Sequence, residues 1–294
     1  MYFNIIIMIT ILILLLLILF FSQESYKPSK SPKLYKKLLW LYWDTNPMPP
    51  ILEKIKKYNH QKLLGWDVHY LHCDNLKNYI HEKDFPKHYS HLNKAHQSDW
   101  IRLFLLYQYG GCWLDVSIII NQSQALDDIY QQSLTGHYDI SLFQSQVEKK
   151  TWTHFSGTKI PLVIDNWFIL APQNSVCISL WLKEFNKAME IGFYNYKKRV
   201  LNMGTNISFI NFTNEKDTYL TQHVCIQHIL QSIKKIPKIL FFDSYDSMFR
   251  LQQICNHQAQ CMQHKFDHDQ DLKKLPFIKL TSANRKNLDL SRFI

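Results

Sequence analysis

The sequence predicts an α/β fold with a largely parallel sheet, and three observations lead there. Short apolar, strand-like runs alternate with helix-length segments between residues 34 and 120. One of those helical segments is apolar nearly all round, ends at a Gly-Gly pair and is followed at once by another apolar run, as suits an element packed inside layers. The composition, 46% apolar and 20% charged over 294 residues, supports a sizeable core and excludes a disordered chain.

The first element is an apolar run, YFNIIIMITILILLLLILFF at residues 2–21, without a single charge. Roughly twenty residues rising about 1.5 Å each match a hydrocarbon layer of about 30 Å. The run exceeds a signal core, and no basic n-region or A-x-A-like site accompanies it, so residues 1–21 are expected to form a transmembrane signal-anchor. Residues 22–33, with Pro28 and Pro32, read as a polar stem, and 34–294 as one soluble domain without repeat or second linker. The orientation is open. Lys27, Lys30, Lys33, Lys36 and Lys37 follow the span, which places the domain in the cytoplasm by the positive-inside rule. Sequons at Asn121, Asn206 and Asn211 point instead to a lumenal, Golgi-like face.

Within the domain, LYKKLLWLYW (34–43) is a strand, broken by DTNPMPP. Ile51, Ile55 and Tyr58 then recur at helical spacing. WDVHYLHC alternates as a strand, and NLKNYIHEK is a short helix. Ser98 is expected to cap the next helix, with Asp99 in its first turn, and Gly110 and Gly111 to end it. CWLDVSIII is a strand with Asp115 in its middle.

That aspartate raises the chemical question. Between Leu114 and Val116 a carboxylate needs a cation, a hydrogen-bond network or an exit to solvent. Ser117 lies two residues on and on the same face, so the pair suits a hard cation that completes its shell with water and phosphates. Asp99 and Arg102 share a helix face. Ligands of such sheets bind beyond the carboxyl ends of strands.

The formal charge of +10 suits anionic partners or a solvated lysine surface. Nucleic acid is not expected, because there is no basic helix and no aromatic-basic motif. P-loop, G-x-G-x-x-G and G-x-S-x-G motifs are absent, and Asp115 lacks the clustered His and Asp ligands of a two-metal phosphohydrolase. Cys73, Cys112, Cys177 and Cys225 read as buried thiols, while Cys255 and Cys261 are close enough for a disulfide in an oxidising compartment. The His- and Asp-rich stretch at 255–271 reads as a solvated loop.

SDWIRLFLLYQYGGCWLDVS, residues 98–117, closely resembles the S-D-x-x-R…L-Y-x-x-G-G-x-W-x-D-x-S/T/D segment of DXD-type sugar transferases, above all the capsular-polysaccharide-synthesis family and its α-mannosyl- and galactosyl-transferring relatives. LLWLYWDTNPMPPILEKI resembles the family's opening strand, and DNWFILAPQNSVCISLWLKEF its N-x-f-i-a-x-p-x-n block. YLTQHVCIQHIL and LPFIKLT are similar to its closing helix and strand. The resemblance spans about residues 35–282, with its specificity concentrated in 98–117.

It implies a GT-A-type fold and transfer of a sugar, with retention, from a UDP- or GDP-sugar donor to a glycan or glycolipid acceptor, with Mn²⁺ or Mg²⁺ as cofactor. Donor binding falls by resemblance to Trp43, Asp44, Asp99, Arg102, Asp115 and Ser117, with the Trp43 ring on the base. Metal binding falls to Asp115 and Ser117, with His223 as a third ligand on the ground that imidazole serves Mn²⁺, and catalysis at the acceptor falls to Asp165 or Asn166. Ser117 departs from the motif's second Asp, which weakens the metal site. Lys279 either neutralises a diphosphate or is a surface lysine. The alternative is a membrane-tethered, catalytically inactive module that binds a sugar nucleotide or glycan.

Overall fold

Strand β1 (Leu38–Tyr42) sets the architecture, because both of its faces are apolar: Leu39 and Leu41 point one way, Trp40 and Tyr42 the other, and all four are buried. A strand buried on both faces belongs inside a layered α/β domain. The computed structural model describes residues 35–145, 152–155, 157–161 and 163–294. The anchor and stem expected at 1–33 lie outside the described residues, and no helix among the latter is long and apolar enough to cross a membrane.

Helix α1 (Pro50–His60) follows β1, then strand β2 (Asp67–Leu71), helix α2 (Lys94–Tyr109), and strands β3 (Gly111–Leu114) and β4 (Ile118–Ile120). Helix α3 (Ser123–Thr135), strand β5 (Ile140–Gln144), a small hairpin of β6 (Thr153–Phe155) and β7 (Thr158–Ile160), and strand β8 (Ile164–Ala171) come next. The chain continues through α4 (Val176–Ile191), α5 (Phe193–Asn202), α6 (Thr221–Ser232) and strand β9 (Ile239–Asp243). It closes with α7 (Arg250–Ile254), α8 (Ala259–His268), strand β10 (Phe277–Lys279) and α9 (Ser282–Asn287).

The main sheet runs β2-β1-β3-β8-β5-β9. It is mixed: β1 is parallel to β2 and β3, and β5 to β9, while β8 is antiparallel to both its neighbours. On one face Leu39, Leu114 and Phe168 pack with Leu52 of α1, Leu126 of α3 and Phe266 of α8. On the other, Trp40, Trp113 and Ile169 pack with Ile101 of α2, Trp181 of α4 and Ile226 of α6. A separate ladder pairs β4 antiparallel with β10, Ile118 opposite Lys279.

Several sequence expectations are corrected. Helix α2 starts earlier than Ser98: Asn93 caps it, its Oδ1 accepting from the His96 amide at 2.9 Å. NLKNYIHEK forms isolated 3₁₀ turns at Leu76–Asn78 and Glu82–Asp84. CWLDVSIII is not one strand. β3 stops at Leu114, a turn closed by the Ile118 amide on the Asp115 carbonyl (3.0 Å) intervenes, and β4 joins the other ladder. Asp115 therefore stands at the carboxyl end of β3, not in mid-strand. The 255–271 stretch is no solvated loop, because Met262 and Phe266 of α8 are buried and Cys255 is joined to Cys261.

The α2–β3 junction leaves no room for a side chain. Gly110 and Gly111 have φ of 71° and 98°, and a Cβ on Gly111 would lie 2.6 Å from the Leu38 carbonyl oxygen. Gly65, at φ 84°, has nothing within 4 Å of such a Cβ. Gly111→Ala is expected to lower unfolding stability by roughly 2–4 kcal/mol and Gly65→Ala by about 1–2 kcal/mol. Urea melts giving equal losses would contradict a steric role for Gly111.

Candidate functional site

The site forms where β3 ends. Side chains alternate along a strand, so Asp115 shares the face of Trp113, which looks onto helix α2. The Trp113 indole donates to Asp115 Oδ1 at 3.1 Å. Arg102 of α2 lies with its Cζ 5.0 Å from the Trp113 ring centre and its Nη2 3.6 Å from Asp115 Oδ1. From the opposite side Lys279 of β10 donates to Asp115 Oδ2 at 2.8 Å and to Ser117 Oγ at 2.7 Å. The β4–β10 ladder supports that approach, since the Leu280 amide donates to the Ser117 carbonyl at 3.0 Å. Burial pushes the Asp115 carboxyl upward, but Lys279 and Arg102 outweigh it and hold it below the usual carboxylate range. Asp115 is the charged anchor of the cluster.

Arg102 is held by a network of its own. Its Nη1 bonds Asp99 Oδ1 (3.1 Å), the Asn166 carbonyl (3.0 Å) and Gln222 Oε1 (3.1 Å). The Asn166 amide donates to Asp99 (3.2 Å) and to Gln222 (2.5 Å), and Gln222 donates to the Asp99 carbonyl (2.9 Å). Asp99 pairs with Arg102 inside the helix packing and is only 6% exposed. Burial lifts its carboxyl to about 7; the Arg102 charge opposes the rise and Asp115 adds to it.

Asp165, at the start of β8, is buried and accepts at Oδ2 from the hydroxyls of Ser145 and Ser244. Burial raises it to about 6, against those bonds and the charge of Lys279. Trp43 follows β1, and its ring lies 5.5 Å from Cζ of Arg285 in α9. Arg285 in turn feels the charge of Asp115. Asp44 is half-buried in the same loop, within electrostatic reach of the Tyr42 hydroxyl.

The structure thus brings together Asp99, Arg102, Asp115, Ser117 and Asn166, with Trp43 at the side through Arg285. Sequence reasoning missed Arg285 and Gln222, which reach the cluster from distant segments, and Ser145 and Ser244, which hold Asp165. Lys279 was half seen: it is no surface lysine but 7% exposed. Its one sequence signal was a basic residue inside the apolar run FIKL. Tyr219, 63% exposed, lies within electrostatic reach of Asp99, Asp115, Arg102 and Arg285.

The donor set fits a divalent cation poorly. Asp115 and Ser117 already share an ammonium, and a dication about 4 Å from a unit charge is repelled by roughly 8 kcal/mol at an effective dielectric near 20. His223 keeps a buried Nδ1 without a hydrogen-bond partner. Burial and the neighbouring Arg102 lower it to about 4, so the imidazole is neutral beside a cation. Among the described residues the His, Cys and Asp side chains close enough to share one ion are His72, Cys73 and Asp74, after β2. Of the sequons, Asn121 is buried with its amide on the Leu272 and Leu275 carbonyls, whereas Asn206 and Asn211 are exposed.

Residues 18–288 match the family described as capsular polysaccharide synthesis protein. The glycosyltransferase afumC of Aspergillus fumigatus is 36% identical over 93 residues, which are 31% of this chain and 21% of that protein. The O-glycosyltransferase braB of Annulohypoxylon truncatum is 26% identical over 178 residues, 54% of this chain and 39% of that protein. The chain thus spans well under half the length of these curated relatives. Among solved structures, the PaToxG glycosyltransferase aligns with a TM-score of 0.40 at 13% identity, over 89% of this chain and 86% of that one.

Asp99 makes stability depend on pH. Its folded-state pKa of about 7 lies above the ordinary 3.8, so its contribution is fully present below pH 3.8 and is lost as pH rises through 7. Asp99→Asn lacks that loss. Its stability relative to wild type should rise by roughly 2 kcal/mol between pH 5 and 8, measured by paired urea melts. A difference that stays constant over that range would refute the assignment.

Proposed function

The chain belongs to the capsular polysaccharide synthesis protein family, and on that premise we propose that it is a glycosyltransferase of GT-A type. In this reading it moves a sugar from a UDP- or GDP-sugar to a hydroxyl of a glycan or lipid-linked acceptor, with retention. The apolar run at residues 2–21 tethers it to a membrane. The observation that carries the reading is the convergence of Arg102, Lys279 and Arg285 on Asp115 at the carboxyl end of β3. Ligands of α/β sheets bind at such ends, and a nucleoside diphosphate is the anion that sugar transfer releases.

The roles follow from position. Lys279 and Arg285 meet the diphosphate and stabilise the charge that grows on it as the sugar–phosphate bond breaks. Burial lowers Lys279 below the usual lysine range, Asp115 opposes that shift and aims the ammonium, and Ser117 fixes it from the other side. Arg102 acts through Asp115 and the Trp113 ring. Asn166 and Gln222 hold Arg102, which makes both positioning residues. Asp165, which burial raises to about 6, is the carboxyl that this reading assigns to proton exchange with an acceptor hydroxyl, through the Ser145 and Ser244 hydroxyls that hold it. Trp43, beside Arg285, offers a ring to the nucleoside, and the exposed Tyr219 offers a second.

The test is a panel of UDP- and GDP-sugars offered to the full-length chain, with nucleoside diphosphate release and donor binding as readouts. One donor should be bound and slowly hydrolysed. Arg285→Ala should weaken its binding by about tenfold, or about 1.4 kcal/mol, without unfolding the protein. A folded chain that binds no donor in the panel would remove the basis for the reading.

A further inference from the structure

Lys279 stands where a metal would. Its ammonium lies 2.8 Å from Asp115 Oδ2 and 2.7 Å from Ser117 Oγ, the two side chains whose spacing suits a hard cation. The lysine is 7% exposed and cannot be a mobile surface group. Its backbone is fixed on both sides of the side chain: the Lys279 amide donates to the Met248 carbonyl at 2.9 Å, and its carbonyl accepts from the Gln252 amide. The antiparallel pairing of β10 with β4 sets Lys279 opposite Ile118, one residue beyond Ser117. This is a built site for a cation, and the chain fills it from within.

We propose that Lys279 is the resident cation of the nucleotide site, and that this protein binds a nucleoside diphosphate without a divalent metal. The proposal rests on the donor reading above and goes beyond it, since it replaces the expected Mn²⁺ or Mg²⁺ with a side chain. Three details support it. An ammonium has three protons, and Asp115 and Ser117 take two, which leaves one for a phosphate oxygen. The motif's second carboxylate is absent, and Ser117, which carries no charge, suits a monovalent ammonium where two carboxylates would suit a dication. Arg102 and Arg285 add two further positive charges within electrostatic reach of Asp115. The charge that a metal would supply is already present.

The test is calorimetric binding of UDP and of GDP to the full-length chain, purified in mild detergent, once with EDTA and once with Mn²⁺. The dissociation constant of the nucleotide that binds should agree within about threefold between the two conditions. Lys279→Ala should lose at least tenfold in EDTA. Mn²⁺ should recover part of that loss, because the emptied Asp115–Ser117 pair can then accept a dication. Lys279→Arg, which keeps a cation, should lose less than Lys279→Ala. Wild-type binding that falls more than tenfold in EDTA overturns the proposal and leaves the transferase reading intact, and that comparison decides even where a variant fails to fold. An alanine variant that binds as wild type in EDTA overturns it as well. Absence of binding by either nucleotide in both conditions, from a folded chain, overturns the donor reading and this proposal together.

Discussion

An aspartate that must stay ionised at the edge of a packed core is the constraint on which this site depends. Removing an ion from water costs several kcal/mol even after relaxation, and only good geometry to opposite charges offsets it. Asp115 meets that condition with Lys279 on one oxygen and Trp113 and Arg102 on the other. Each of those partners needs support of its own. Lys279 depends on the β4–β10 ladder, and Arg102 on Asp99, Asn166 and Gln222. Tracing the partners outward from one carboxylate therefore reaches α2, β8, α6 and the C-terminal segment.

The sheet topology makes this convergence possible. Because β8 runs antiparallel to β3, its start lies beside the end of β3: Trp167 stands level with Asp115, and Asn166 and Asp165 lie just beyond. The two residues face opposite sides of the sheet. Asn166 joins the α2 side through Arg102, whereas Asp165 joins Ser145 and Ser244 on the other. A wholly parallel arrangement would have carried the start of that strand to the far edge. The break after Leu114 matters equally, since a continuous strand to Ile120 would leave Lys279 no ladder on which to approach.

Much of this was legible in the sequence, and the divide follows sequence distance. The alternation of strands and helices, the Gly-Gly exit of α2, and the separate pairs Asp99–Arg102 and Asp115–Ser117 are local, and periodicity exposes them, whereas only the family resemblance joins the two pairs in one site. The antiparallel insertion of β8 was not legible, because an apolar strand reads the same in either direction. The Asn93 cap lies five residues ahead of the expected start because Lys94, His96 and Gln97 break the apolar pattern of the first turn. Lys279 is 164 positions from Asp115, and nothing in FIKL announces a pairing with β4. Gln222 and Arg285 were invisible for the same reason: each is one polar residue among many until the fold selects it.

The carboxyl groups near Arg102 and Lys279 differ in how firmly they hold a charge. Of the three, only Asp115 is held firmly ionised; burial lifts Asp165 to about 6 and Asp99 to about 7. Near neutrality Asp99 is therefore protonated much of the time and Asp165 some of the time, so their nominal charges overstate the negative side. Arg102, Lys279 and Arg285 stand against that reduced charge, while burial lowers Lys279 and Arg285 from their ordinary values in turn. A scattered surface excess of lysine would spread its field into solvent, where salt screens it within about 10 Å. These cations are buried or half-buried and act in a lower dielectric, where the same charge reaches further. The formal charge of +10 says little about function by itself; the few positive groups that the fold withdraws from solvent and sets around one carboxylate say far more.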